Sequence, residues 1–100
     1  MGAKKSSLAG GYHITKYSYK QAKRLNVTIR PSTVRGKKID VFKNGRKIAS
    51  IGAIGYGDYP TFYKRNPEYA KRRRVAYKKR HEKDRHRVGS PGYYADQILW

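Results

Sequence analysis

One hundred residues allow one small domain, and 25 Lys or Arg against 6 Asp or Glu give it a formal charge of +19. Only 37% of the residues are hydrophobic, ten of the aromatics are Tyr, and there is no Cys, so disulfides, thiol nucleophiles and Cys-ligated metal centres are excluded. No stretch approaches the roughly 18 apolar residues of a spanning helix, and Met1-Gly2-Ala3-Lys4-Lys5 opens no apolar signal region.

Residues 1–38 carry ten Lys or Arg and no acid. Residues 1–11 are Gly, Ser, Ala and Lys with one Leu8, an arm without its own core. Met1 to Ser6 also fits the myristoylation pattern. Residues 12–25 admit two readings. Tyr17 and Tyr19 alternate around Ser18 like a strand, while Ser18 and Gln21 fit a capping box for a short helix over Tyr19–Leu25. Residues 1–25 are counted as a basic N-terminal arm, ahead of a small domain over 26–100.

Asn26-Val27-Thr28-Ile29-Arg30 alternates and stops at Pro31, which predicts a first strand. Ile39 to Lys43 predicts a second, Asn44-Gly45 a type I′ turn, and Arg46 to Ile51 a third. The two-residue loop sets Lys43 opposite Arg46, Phe42 opposite Lys47 and Val41 opposite Ile48. Ile39, Val41 and Ile48 then share one face, and Phe42, Ala49 and Ile51 the other.

Gly52, Gly55 and Gly57 mark a loop with close backbone approach. It has neither P-loop nor dinucleotide-binding spacing. Its neighbours Tyr56, Tyr59, Phe62 and Tyr63 are candidates for packing on the sheet or stacking on a flat partner. Asn66-Pro67-Glu68 is a helix start, and the helix is expected to run to about Val88. Its apolar stripe is thin: Tyr69, Ala70, Ala76 and Tyr77. Ser90-Pro91 is expected to cap a last helical turn in which Tyr94 meets Ile98 and Ala95 meets Leu99. Ile98-Leu99-Trp100 is poorly suited to water and is expected to pack on the core or on a partner. The predicted fold class is α+β: a three-stranded antiparallel sheet (about 26–31, 38–43, 46–52) packed on one long basic helix (about 67–88), with an extended arm ahead.

A compact chain of this charge repels itself, and so small a core offsets little of that. An acidic partner is therefore expected: nucleic acid, an anionic membrane or an acidic protein surface. Residues 64–87 hold twelve Lys or Arg against Glu68, Glu82 and Asp84. The candidates for phosphate or acidic-partner contact are Arg65, Lys71, Arg72, Arg73, Arg74, Lys78, Lys79, Arg80 and Lys83. Lys78–Glu82 and Arg80–Asp84, at i,i+4, are expected to pair within the helix. Tyr56, Tyr59, Phe62, Tyr63, Tyr93, Tyr94 and Trp100 are the packing or interface candidates, since Tyr joins a large ring to a polar tip. His81 and His86 point to different sides of a helix, so no metal site is expected. Nor is there a paired-carboxylate or nucleophile–base constellation, so no enzyme, no cofactor and no small-molecule substrate is expected.

Val41-Phe42-Lys43-Asn44-Gly45-Arg46-Lys47, Ile51 to Tyr59, Tyr69-Ala70 through Tyr77-Lys78-Lys79-Arg80-His81, Gly92-Tyr93-Tyr94 and the closing Ile98-Leu99-Trp100 form a set. Together they resemble a family of small basic proteins encoded by large double-stranded DNA viruses of algae and protists, of the chlorella-virus and mimivirus kind. The resemblance covers about residues 26–100. It implies a viral setting and names no activity. The function expected from it is a virion structural protein of minor capsid or cement type, in the capsid interior. Its partners would be major and other minor capsid proteins, with viral DNA and the inner membrane surface as further partners. During assembly it would be in the host cytoplasm or nucleus. The alternative is a nucleic-acid binder that condenses or packages the genome.

Overall fold

The computed structural model describes residues 12–100. The arm reading of residues 1–11 and the acylation reading of Gly2 lie outside the described residues. Residues 16–24 settle as a helix, α1 (Lys16–Arg24). Its N-cap is Thr15, whose hydroxyl accepts from the Ser18 N–H, and not the expected Ser18. Ser18 is instead buried on the inner face and donates to Ile98 O at 2.9 Å. Ile14 and Ala22 join the hydrophobic core, so the arm cannot extend to residue 25 as expected. Asn26, at φ 64°, turns the chain out of the helix.

Three antiparallel strands follow: β1 (Thr28–Pro31), β2 (Lys37–Lys43) and β3 (Arg46–Ala53), in sheet order β1-β2-β3. Asn44 and Gly45 take φ 53° and 77°, as a type I′ turn requires. Lys43 faces Arg46 and Phe42 faces Lys47, as expected, but Val41 faces Ala49. A bulge at Val41/Phe42 makes Ile48 the extra residue. That slip corrects the expected faces: Ile39, Val41, Ala49 and Ile51, with Ile29 of β1, are all buried together. A register without the bulge would split this apolar set over two faces.

The cover of this sheet is α1 and α5 (Pro91–Leu99), not the basic helix. Ser90 caps α5 by accepting from the Tyr93 N–H, and Tyr94, Ile98, Leu99 and Trp100 are buried, as expected from the sequence. Gly52, at φ 80°, lets the sheet edge meet α5: a Cβ there would come within 2.8 Å of Leu99 Cδ1.

Between sheet and α5 the chain forms α2 (Tyr59–Arg65), α3 (Pro67–Arg80) and α4 (Glu82–Arg85). Asn66 and Pro67 start α3 as expected, with the Asn66 side chain accepting from the Tyr69 N–H. The expected run to Val88 is interrupted: α3 ends at Arg80, with His81 at φ −109° and ψ 22°. The turn brings Arg85 alongside Asp96 of α5. Helix α3 packs chiefly on α2 and buries only Ala70 fully, too little apolar surface to cover a sheet. Among the described residues, no helix is long and apolar enough to cross a membrane.

Candidate functional site

Six carboxylate side chains have to balance 25 cations, and three of them are inside the fold. Asp40 lies on the sheet face opposite the core. It accepts from Ser50 Oγ at 2.7 Å, from Ser32 Oγ and from the Thr33 N–H, with Lys47 Nζ at 3.4 Å. Burial opposes its charge, but these hydrogen bonds and the Lys47 ammonium outweigh that and hold the carboxyl at about 2.

Asp58 caps α2, accepting from the Thr61 N–H and hydroxyl, from Tyr12 OH at 2.7 Å and from the buried Lys38 Nζ at 2.9 Å. Burial again opposes the charge, and the four donors keep the carboxyl below its ordinary value. Burial and the neighbouring Asp58 push the Tyr12 hydroxyl far above its ordinary value. Asp96 holds Lys78 Nζ at 2.7 Å and Arg85 at 3.7 Å.

The exposed side-chain carboxylates among the described residues are therefore Glu68, Glu82 and Asp84, all on α3–α4. Every Lys and Arg between 12 and 65 except Lys38 is exposed, and no exposed acid lies in that span. The positive surface is consequently broader than the sequence placed it.

Along α2–α4 the nine predicted contacts divide. Arg65, Lys71, Arg72, Lys79, Arg80 and Lys83 are exposed. Arg72 sits over the Tyr69 ring, and Lys71 lies 3.7 Å from Glu68. Arg73, Arg74 and Lys78 turn inward: Arg73 over Phe62 at 5.7 Å, Arg74 over Tyr59 at 3.6 Å, and Lys78 to Asp96. The expected Lys78–Glu82 and Arg80–Asp84 pairs are replaced. Asp96 takes Lys78, and Glu82 pairs with Arg85 and His86 once the helix has turned.

The packing candidates divide as well. Trp100 stacks on Tyr77 and meets Phe62, and Tyr93 lies edge-on to Tyr94. Tyr56 is 76% exposed and does not pack on the fold, because Gly55 and Gly57 carry it out on a loop.

Tyr59 and Tyr63 form something the sequence did not suggest. With Tyr17 of α1 they line an open cleft of about 870 Å³ between α1, α2 and α3. Tyr59 lies 5.5 Å from Tyr17 and 5.6 Å from Tyr63, ring centre to ring centre. His13, Lys16, Lys64 and Arg74, with Thr15 and Thr61, complete the polar lining, which contains no acid. Burial raises the Tyr17 hydroxyl, with the Arg74 charge pulling the other way. Arg74 has no carboxylate partner among the described residues, and its buried Nε donates to nothing. Tyr17 and Lys16 were missed because they reach Tyr59 only through the tertiary fold. Asp58-Tyr59-Pro60, an Asp cap followed by Pro in the first turn, was a legible signal for α2.

Among the described residues, no group of three or more His, Asp or Glu is placed to hold a metal ion. Comparison with protein-family models, with curated proteins and with solved structures returns no match.

Proposed function

We propose that this chain is a non-enzymatic binding protein for a polyanion, and that nucleic acid is the partner. The observation that carries the reading is the inward placement of Asp40, Asp58 and Asp96, which leaves the exposed cations of residues 12–65, Lys47 beside Asp40 excepted, without a carboxylate against them. A docking site for one folded acidic neighbour would concentrate charge in one patch. Cations on α1, on the strand ends and on α2 and α3 instead suit a long flexible polyanion that can wrap. In the viral setting that the resemblance implies, that polyanion is the genome.

The test is fluorescence anisotropy with labelled DNA at increasing salt. Binding should weaken with a log–log slope of about −0.7 to −0.9 per phosphate contacted. Absence of binding at low salt would overturn the reading.

A second reading, a minor capsid or cement protein bound to major and other minor capsid proteins, has its own support. Tyr56, Val75 and Val88 are 76%, 67% and 79% exposed, apolar groups free to pack on a neighbour. A cement protein should remain with shells after nuclease removes the genome. Loss with the genome counts against it.

A further inference from the structure

The cleft between α1, α2 and α3 combines two kinds of group. Tyr17, Tyr59 and Tyr63 present rings, and Lys16, Lys64 and Arg74 present positive charge with no acid among the lining residues. Rings alone would suit any flat apolar group, and cations alone any anion. A ligand that uses both is flat and negatively charged, which describes a nucleotide unit. Arg74 already covers one side of Tyr59 at 3.6 Å, so Tyr63, 46% exposed, is the ring most open to an incoming partner.

We propose that this cleft receives an unpaired nucleobase against Tyr63, with the adjoining phosphates held by Lys16, Lys64 and Arg74. The inference rests on the nucleic-acid reading above and narrows it to single strands. In a duplex both faces of each base are covered by its neighbours, so stacking on a side chain requires the base to leave the stack. A single strand offers bases without that cost. The exposed cations elsewhere do not distinguish the two forms, whereas the cleft does.

The experiment compares a labelled oligothymidine with a duplex of equal length at one fixed salt concentration, using the full chain. The intact protein should bind the single strand more tightly. Tyr63→Ala should weaken single-strand binding about 5- to 150-fold, the range for one base–ring stack, and leave duplex binding unchanged. Tyr63→Phe, which keeps the ring, should restore it. Circular dichroism of each variant checks that this exposed substitution leaves the fold intact. Photo-crosslinking with 5-iodouracil in the oligonucleotide should label peptides holding Tyr17 or Tyr63. Equal affinity for both forms with no effect of Tyr63→Ala, or crosslinks confined to α3–α4, would overturn the cleft assignment and leave general nucleic-acid binding standing. Failure to bind either oligonucleotide would overturn both readings.

Discussion

The indole of Trp100 lies flat on the phenol ring of Tyr77, with planes 8° apart and centres 4.4 Å apart. His81 stacks on the same Tyr77 at 4.3 Å, and Phe62 reaches Trp100 at 6.1 Å. This is the main apolar joint between α3 and the core, since α3 itself buries only Ala70 fully. Trp100→Ala should therefore cost about 3–5 kcal/mol, and Trp100→Phe less. Urea unfolding followed by circular dichroism measures both. A loss under about 1 kcal/mol would mean that α3 is held by its charges rather than by this stack.

A second joint is ionic. Asp96 is buried and holds Lys78 of α3, with Arg85 of α4 nearby. Removing the carboxylate takes Lys78 away from its partner and leaves Arg85 with Glu82 alone, and both cations reach solvent, so Asp96→Ala should cost about 1.5–3 kcal/mol. Lys78→Met should cost less, because Arg85 remains beside Asp96. The same urea titrations rank the two, and a larger loss for Lys78→Met would contradict the assignment.

Acid stability should follow Asp40 and Asp58. Both carboxyls are lowered in the folded state, so each stabilises the fold above its unfolded value. For Asp40 that contribution is lost as pH falls from about 4 through about 2. It amounts to roughly 2 kcal/mol from the shift alone. Urea midpoints between pH 6 and 2 should fall on the acid side in the intact protein. In Asp40→Asn the fall should be shallower and start from a lower plateau.

Inward and outward cations should separate in a binding assay. Lys79→Ala and Arg80→Ala remove exposed charge, and each should reduce the salt slope by up to about 0.9 without loss of stability. Arg73→Ala should lower stability and leave the slope nearly unchanged, because its guanidinium lies over Phe62. Reversing charge across Arg72, Arg73 and Arg74 together is consequently a poor probe of binding, since two of the three support the packing of α2 on α3.

The parts of this fold that were legible in the sequence rest on neighbouring residues. Asn44-Gly45, Asn66-Pro67 and Ser90-Pro91 each carry their own turn or cap chemistry, and the hairpin and both helix starts follow. The bulge did not, because a one-residue slip is decided by which apolar set the opposite helices can cover. The inward acids were invisible for a related reason. Tyr12 and Asp58 are 46 positions apart, and Lys38 and Asp58 are 20 apart, so no local pattern links them. The basic run on α3 was visible as composition. Which of its members face solvent depends on rings supplied by α2.

Helices α1 and α5, which cover the sheet, come from opposite ends of the described chain. Ser18 reaches Ile98 O, and Gln21 reaches Gln97 O, across 80 and 76 positions. A growing polypeptide therefore cannot close its core before Pro91–Leu99 has been made, and folding must follow synthesis of that segment rather than accompany it. A product cut short before α5 is an open chain with the inner side of its hairpin uncovered, not a smaller version of the domain.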